Sequence, residues 1–224
     1  GVSPSSRRTA SSSGSAPSFS PLPSLFPISF PIIVRTGLEY MCVQDAVDNA
    51  LSGDVINIPD NIFYNTFSEN IVIDKDLTLN FFNCTLVGDG VNPCISVVNG
   101  VEVTVNDISV ANVSFRTDES SKLTLNQLNS GNVTLINGNF EFKDTSFLNS
   151  NILNLNANCF ISNCNFTNGS VIVNGGKSKI INCTFNNCEV AVTQTAGELE
   201  LISNMIFDNN VGVNVRSEEH TSEL

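Results

Sequence analysis

Carboxylate side chains are the groups in this chain best able to do chemistry, and three short phrases contain the candidates. Asp-Lys-Asp stands at 74–76, Gly-Asp-Gly at 88–90 and Asp-Glu at 118–119. Glycoside hydrolysis needs two carboxylates held at a set separation, and calcium binding needs several oxygen ligands at a regular loop spacing. Each phrase instead has the composition of a solvated bend between alternating apolar segments. We therefore assign no catalytic, cofactor-binding or metal-binding residue.

Cysteines are the second group with chemical capacity, and disulfide, metal and core interpretations compete for them. The seven are Cys42, Cys84, Cys94, Cys159, Cys164, Cys183 and Cys188. Two pairs, beginning at Cys159 and Cys183, are five residues apart, which is not the C-x-x-C spacing typical of zinc sites. Because free cysteine packs like a small hydrophobic residue, we favour burial in the core. A disulfide between Cys84 and Cys94 stays open as an alternative outside the cell.

Asn-x-Ser/Thr sequons offer sites for glycosylation if the protein passes through a secretory pathway. The six sequons begin at Asn83, Asn112, Asn132, Asn165, Asn168 and Asn182. Many such triplets arise by chance in a chain rich in Asn, Ser and Thr. Glycosylation of these asparagines is therefore conditional on a secretory host.

The last nine residues, 216–224, abandon the pattern of the preceding chain. The string Arg-Ser-Glu-Glu-His-Thr-Ser-Glu-Leu resembles the in-frame translation of a short-read sequencing adapter. We therefore expect this tail to be non-native and the natural chain to be cut at Val215. His220, with Glu218 and Glu219 beside it, then indicates no metal site.

An internal repeat in residues 138–215 determines the fold that must position these side chains. Phe147, Phe166 and Phe185 are 19 residues apart, and Phe207 follows 22 residues later. Asp or Asn precedes each Phe by three residues and Asn follows each by two, at Asp144, Asn163, Asn182 and Asn204 and at Asn149, Asn168, Asn187 and Asn209. A period near 20 with short alternating apolar pieces is too short for a helical hairpin and predicts strands.

Coils of about three short strands, stacked at roughly 4.8 Å, satisfy this repeat. The sequence therefore predicts an all-β fold, a right-handed parallel β-helix solenoid of about eight coils, in which Phe147, Phe166 and Phe185 form a buried stack. We expect the repeated Asn residues to take left-handed bends and to hydrogen-bond in ladders. The three extra residues before Phe207 are expected at 193–197, where a bend can lengthen.

Two segments precede the repeats. Residues 1–37 are rich in Ser and Pro and are predicted to be disordered, with no clear signal peptide or membrane span. Apolar residues then recur at helical spacing, at Val43, Ala46, Val47, Ala50 and Leu51. This spacing predicts an amphipathic helix of about two to three turns, which would cap the open end of the coils. We expect the β-helix domain to span residues 38–215.

A family resemblance rests on the cap and on the repeat. Val-Gln-Asp-Ala-Val at 43–47, Gly-Asp-Val-Ile at 53–56 and the run 69–79 resemble the start of right-handed parallel β-helix proteins of the pectin-lyase-like superfamily. The Asn-Cys-Thr-Phe phrase at 182–185 is similar to the coil repeats of Asn-rich, adhesin-like surface proteins in that superfamily. The resemblance implies the fold, and it implies either surface adhesion or the carbohydrate chemistry of the superfamily's lyases, hydrolases and esterases.

Charge excludes some partners. With 22 acidic and 10 basic residues the chain carries a net charge of −12, whereas nucleic-acid binding needs a basic face. The same charge repels anionic membrane surfaces. An acidic, solvated β surface suits an extracellular or cell-surface protein. The sequence indicates no nucleic-acid partner and no membrane span, and it does not indicate an oligomeric state.

These observations predict a non-catalytic secreted or cell-surface module, adhesin-like or structural, whose partner is a carbohydrate such as a surface polysaccharide, or another cell-surface molecule. The alternative is the N-terminal part of a polysaccharide lyase, hydrolase or esterase whose active site is missing or degenerate. Against it, Arg35, Arg116 and Lys143 stand alone and the superfamily's catalytic phrases are not found. The resemblance also allows an accessory role in copper-enzyme maturation, but the chain has only two Met and a single His, which lies in the tail, so it offers few copper ligands.

Overall fold

The chain folds as a parallel β-helix. The computed structural model describes residues 30–59, 66–82, 84–110 and 113–216. Within these ranges the chain is all-β apart from one short helix, and its strands wind into eight successive coils. This arrangement confirms the predicted fold class. Residues 1–29 and the tail 217–224, including His220, lie outside the described ranges.

Each coil contributes up to three short strands. The cap that precedes the coils contains β1 (Ile32–Ile33), β2 (Leu38–Glu39) and α1 (Val43–Asn49). Coils one to four contain β3 (Asp54–Asn57), β4 (Thr66–Ser68), β5 (Ile71–Ile73), β6 (Leu77–Asn80), β7 (Thr85–Val87), β8 (Ile95–Val97), β9 (Glu102–Asn106), β10 (Ser109–Val110), β11 (Val113–Thr117), β12 (Lys122–Asn126), β13 (Asn129–Ser130) and β14 (Val133–Ile136). Coils five to eight contain β15 (Asn139–Lys143), β16 (Ser146–Leu148), β17 (Asn151–Leu155), β18 (Asn158–Ser162), β19 (Asn165–Thr167), β20 (Ser170–Ile181), β21 (Thr184–Asn186), β22 (Val190–Ile202), β23 (Met205–Phe207) and β24 (Val211–Val215).

Equivalent strands of successive coils pair in parallel and form three sheets along the stack. Sheet 1 contains the first strand of each coil and sheet 3 the third, and the long strands β20 and β22 bend from sheet 3 into sheet 1 and join the two. Sheet 2 contains the second strands and is interrupted between β13 and β16, which do not pair. Because strand side chains alternate, every second residue points inward. Val103 pairs with Leu77 on one side and Leu123 on the other, so the buried rows coincide. The core is a set of apolar columns that run along the solenoid.

The predicted phenylalanine stack is confirmed. Phe147 pairs with Phe166 and Phe166 with Phe185 in sheet 2, and all three are buried. Both pairs of ring centroids are 4.6 Å apart with an interplanar angle of 5°. This distance matches the roughly 4.8 Å between neighbouring strands, so the parallel pairing of the backbone also sets the stacking of the rings.

The predicted equivalence of Phe207 to this column is wrong. Phe185 pairs with Ile206, which continues the column, and Phe207 is 42% exposed. The strand pairing of the last coil is therefore displaced by one residue from the alignment that the repeated Phe and Asn residues indicate. Of two adjacent apolar residues, the pairing of the strand decides which one points inward.

The extra length of the later coils also lies elsewhere than predicted. Val171 pairs with Val192, so the seven residues from Phe185 to Val192 replace the five from Phe166 to Val171. The insertion is thus two residues long and falls at the bend between sheets 2 and 3. At 193–197 there is only a local irregularity in the pairing of β20 with β22. The bend absorbs the added residues and the strands on either side keep their partners.

Asn and Asp residues take left-handed backbone at the bends, as predicted. Eleven of the fourteen non-glycine residues with positive φ in the described ranges are Asn or Asp. Coils five to seven place Asp144, Asn149, Asn163, Asn168, Asn182 and Asn187 at these bends. In the last coil the left-handed residues are Ser203 and Asp208 instead of the predicted Asn204 and Asn209. This one-residue displacement agrees with the shift that places Ile206 inward.

Asparagine ladders are present, although the longest lies on strand ends and not on the bends. It joins, in order, Asn57, Asn80, Asn106 and Asn126. Its three Nδ2 to Oδ1 distances are 2.9, 2.8 and 2.8 Å. The ladder stops where Lys143 takes the next position, which leaves Asn126 Oδ1 without a partner among the described residues. A bend ladder also forms, because Asn168 Nδ2 donates to Asn149 Oδ1 at 3.1 Å.

Helix α1 covers the first coil, as predicted. Its inward side contains Val43, Ala46 and Val47, and Ala50 after its end is also buried. The prediction that Leu51 shares this apolar side is wrong, since Leu51 lies beyond the helix and is 61% exposed. The helix has seven residues, about two turns, so it ends before the fifth apolar position.

The β1–β2 hairpin closes the N-terminal edge of sheet 1. β1 pairs antiparallel with both β2 and β3, and Ile33 is fully buried. Arg35 holds it in place through two hydrogen bonds to the Asp54 carboxylate, at 2.7 and 2.9 Å. The packed structure therefore begins before residue 38, and residues 30–37 belong to the cap instead of the disordered segment that the sequence predicts.

Polar side chains fasten the helix to the first coil. The two carboxylate oxygens of Glu69 accept the backbone N–H groups of Val43 and Gln44, both at 2.8 Å. The Gln44 amide in turn bonds the backbone N–H and carbonyl of Val72, at 2.8 and 3.1 Å, as a neighbouring strand would. Lys75 donates to two carbonyls in the last helical turn. These contacts satisfy both helix ends and the free edge of β5.

Replacing Phe166 by Ala should destabilise the protein by about 3 to 5 kcal/mol, because it removes the central ring of the buried column. Phe207→Ala removes the same side chain from an exposed position and should change the free energy of unfolding by less than about 1 kcal/mol. Urea unfolding of both variants measures the difference. Equal losses would show that Phe207, like Phe166, belongs to the core.

Candidate functional site

The acidic phrases anchor backbone on bends of different coils. Asp76 accepts the backbone N–H of Glu102 at 2.8 Å and the hydroxyl of Ser52 at 3.0 Å. Asp89 accepts the N–H groups of Val91 and Asn92 at 2.9 and 2.8 Å, and these bonds lower the pKa of its carboxyl. Across the described ranges no group of three or more His, Cys, Asp or Glu side chains could hold a metal ion. These carboxylates are therefore structural anchors.

Asp118 has the same structural role in the bend between coils three and four. Its two carboxylate oxygens accept the N–H groups of Asn99 and Ser121, at 2.6 and 2.7 Å, and the Ser120 hydroxyl at 3.2 Å. The side chain of Ser121 is the main cause that lowers the pKa of Asp118 to about 2, and the N–H groups of Asn99 and Ser121 lower it further. Charged at neutral pH, Asp118 holds two bends of neighbouring coils together.

The cysteines confirm the core interpretation. None of the seven forms a disulfide, and six of them are buried; Cys42 is partly exposed and caps α1 by accepting the N–H of Asp45. Cys84 and Cys94 do not form the disulfide that the sequence allows. Burial raises the pKa of Cys94 to about 12, so its reactive thiolate form is suppressed. Their role is to fill the interior.

Four of the six sequon asparagines lie in the described ranges, and all four are exposed. They are Asn132, Asn165, Asn168 and Asn182. Asn83 and Asn112 lie outside the described residues. Accessibility is a requirement for glycan attachment, and these four meet it; their glycosylation stays a prediction.

The outer face of sheet 1 carries one continuous row of functional side chains. From coil two to coil eight the paired residues are Thr78, Thr104, Thr124, Glu141, Phe160, Lys179 and Glu200. They alternate with the inward residues of each strand, and neighbours in the row are one strand spacing apart, roughly 4.8 Å. Hydroxyl, carboxylate, aromatic and ammonium groups thus follow one line along the solenoid.

Glu141 organises the centre of this row. The carboxylate is buried and makes ion pairs with the ammonium groups of Lys122 and Lys143, the latter at 2.8 Å. Burial disfavours the charged form, but the hydrogen bonds from the two lysines outweigh it, so the pKa of Glu141 lies below its ordinary value. A general acid at neutral pH needs a raised pKa. Glu141 therefore fits an electrostatic role and not proton donation.

Phe160 is the aromatic residue of the row and follows Glu141 directly. It lies at a shallow groove of about 460 Å³ on the outer face. Polar residues also line the groove: Glu102, Ser120, Lys122, Asn139, Asn158, Lys177 and Lys179. Lys177 and Lys179 make ion pairs with Glu198 and Glu200 of the next coil, at 3.1 and 2.9 Å. The groove combines an apolar ring surface with donors and acceptors.

Sequence reasoning missed this row, although a signal for part of it exists. Glu141, Phe160 and Lys179 are each 19 residues apart, the same period as the buried phenylalanines. Applied to outward positions, that period would have placed the three side chains next to one another. Lys143 is two residues from Glu141 on the same strand, so strand alternation places both on one face, whereas only the pairing of β12 with β15 brings Lys122 to Glu141.

Comparison with known proteins places the chain in no family. No family model, curated protein or solved structure gives a significant match. The β-helix fold therefore stands on the strand pairing, and membership of the pectin-lyase-like superfamily stays a prediction. In the described ranges, no helix is long and apolar enough to cross a membrane.

Asp118→Asn should lower the free energy of unfolding at pH 7, because the neutral amide accepts the two backbone N–H groups more weakly. With a folded pKa of about 2 against an ordinary value of 3.8, the charged group stabilises the protein above about pH 4 and loses this effect as pH falls towards 2. The difference from wild type should therefore shrink over that interval.

Urea unfolding at pH 7, 4 and 2.5 checks this expectation. Glu119→Gln is the matched control, since its carboxylate accepts no hydrogen bond from the described residues, and it should leave the free energy of unfolding at pH 7 close to that of wild type. A difference between wild type and Asp118→Asn that stays constant from pH 7 to pH 2.5 would contradict the assigned role.

Proposed function

We propose that this chain is a non-catalytic, extracellular or cell-surface β-helix module that binds a polysaccharide along the outer face of sheet 1. The observation that supports this most strongly is the continuous row from Thr78 to Glu200, which repeats at strand spacing beside an aromatic ring. A linear ligand with repeating hydroxyl groups matches a linear surface with repeating donors and acceptors.

Phe160 supports a saccharide ligand in particular. Its ring lies on the outer face between a charged carboxylate and a lysine, where an aromatic residue gains little from burial in the protein itself. Aromatic side chains are enriched at binding surfaces because the face of the ring offers a large apolar contact area at low entropic cost. The C–H face of a sugar ring is a suitable partner, and the neighbouring Asn and Lys groups can bond its hydroxyls.

The electrostatic arrangement favours binding over catalysis. Glu141 is neutralised by two lysines, and the carboxylates of Asp76 and Asp118 are occupied by backbone N–H groups. A hydrolase needs one carboxyl kept protonated and a second one free at a set distance. Among the described residues no such pair supports the lyase, hydrolase or esterase alternative.

An extracellular location is supported by charge and by surface chemistry. The net charge of −12 keeps an elongated surface solvated, and the four described sequons are accessible. Burial of six free thiols protects them from oxidation outside the cell. Each of these properties is compatible with an exported module that contacts surface polysaccharide.

Phe160→Ala should weaken binding of a polysaccharide identified on a carbohydrate array by about five- to tenfold, because the stacking surface is lost. Phe207→Ala is the matched control, since it removes an exposed ring from sheet 2, and it should bind as wild type. Titration calorimetry with the array-selected saccharide measures both.

The same saccharide, incubated with the wild-type protein, should remain intact when its reducing ends are counted. Measured cleavage would overturn the non-catalytic assignment. Equal affinity of wild type and Phe160→Ala would show that the outer face of sheet 1 is not the binding site.

A further inference from the structure

A step in the length of successive bends creates a polar recess beside sheet 1. Between sheets 3 and 1, the bend after coil three has four residues, 118–121, whereas the next two bends have two residues each, 137–138 and 156–157. The four-residue bend therefore projects further from the solenoid surface than the two two-residue bends beside it. The recess has a volume of about 590 Å³, within the range of small-molecule sites. We call it the turn notch; its polar lining is Arg116, Asp118, Glu119, Asn137, Asn156 and Asn158.

Two glycines, Gly138 and Gly176, form the bottom of the turn notch, and close backbone packing leaves no space there for a side chain. A Cβ at Gly138 would lie 1.8 Å from Thr117 Oγ1 and 2.3 Å from the Asp118 carbonyl oxygen. A Cβ at Gly176 would lie 2.1 Å from the Ala157 carbonyl oxygen. Both glycines also have positive φ. Side chains are excluded from these positions by sterics, so the recess is a fixed feature of the fold.

The side chains of the turn notch keep unused hydrogen-bonding capacity. Of the eight Lys and Arg residues in the described ranges, six lie within 4 Å of a carboxylate, and Arg116 and Arg216 do not. The amides of Asn137 and Asn156 make no hydrogen bond to other described residues, in contrast to the laddered Asn residues. Arg116 and these two amides therefore remain available to a ligand.

Pairing of the strands brings these free groups together. Arg116 pairs with Ile136, so it lies one residue from Asn137 in the neighbouring coil. The backbone N–H of Asn137 donates to the carbonyl of Leu155, which places Asn156 beside Asn137 in the coil after that. Planar guanidinium, amide and carboxylate groups on neighbouring coils are the groups that bond two adjacent hydroxyls at once.

Resting on the proposed function, we propose that the turn notch is a subsite for a neutral saccharide unit of the bound polysaccharide. Asn158 lines both the turn notch and the Phe160 groove, so one chain can occupy both. The notch holds one positive side chain, Arg116, and two negative ones, Asp118 and Glu119, in a protein of net charge −12. This balance disfavours an anionic sugar such as a uronate. Arg116 and Asn156 then bond its hydroxyl groups.

Calorimetric titration of the full chain with cellohexaose, mannohexaose and hexagalacturonate tests the assignment. At least one neutral hexamer should bind, and more tightly than hexagalacturonate. Arg116→Ala should weaken it by about tenfold or more, since a charged hydrogen-bond donor is lost. Asn156→Gly keeps the left-handed bend at φ 61° while removing the amide, and should also weaken binding.

Two controls separate binding from folding. Arg216→Ala removes the other unpaired arginine, and Asn187→Gly removes a left-handed Asn from a bend elsewhere, at φ 54°. Both should bind as wild type. Loss of binding in Phe160→Ala with wild-type binding in Arg116→Ala and Asn156→Gly would overturn the turn notch and leave the proposed function intact. Tighter binding of hexagalacturonate, or binding of none of the three hexamers, would overturn the assignment of a neutral saccharide to the turn notch. The proposed function would fail separately, if the carbohydrate array showed no bound polysaccharide.

Discussion

Each coil must return the chain to the same position one strand spacing further along, and the rest of the structure depends on that closure. Residues 19 apart then lie above one another, so a buried Phe166 has a phenylalanine on either side at 4.6 Å. The same closure demands tight bends at fixed points. Asn and Asp meet this demand because their side chains tolerate left-handed backbone. A few repeated residue types therefore determine the solenoid, although its coils differ in length at the bends.

Closure also explains what the polar side chains do. Backbone groups at bends cannot all pair with the neighbouring coil, and carboxylates such as Asp76 and Asp118 accept those that are left. The first coil has no preceding coil, and Glu69, Gln44 and Lys75 fasten a helix over it instead. Carboxylates that accept backbone N–H groups in this way are not available for catalysis. Binding capacity is left to the outer face of sheet 1 and to the turn notch.

The sequence predicted the fold where one residue type answers one structural need. The phenylalanine column, the left-handed Asn bends and the inward side of α1 follow from period and residue type alone. Phe207 and Leu51 were misassigned because an apolar residue beside the buried position looks equivalent in the sequence. Only the strand partner or the end of the helix distinguishes them, and both depend on contacts distant in the chain.

The candidate site was harder to predict than the core. A buried column repeats one residue type, whereas the outer row changes from Thr to Glu, Phe and Lys along the coils, so no motif marks it. The turn notch depends on a difference in bend length between neighbouring coils. That difference can be seen only when the first and last residue of each strand are known. Arg116 stands alone in the sequence, and the structure places it beside two unpaired amides.

Contacts between phenylalanine rings test the central claim most directly. In a sample labelled only at phenylalanine, nuclear Overhauser spectra should connect the ring of Phe166 to those of both Phe147 and Phe185, whose centroids lie 4.6 Å away. Phe207 should show no contact with Phe185 of the same strength, since Ile206 occupies the place above it. A spectrum in which Phe166 contacts neither ring would contradict the parallel β-helix, and with it the outer row and the turn notch.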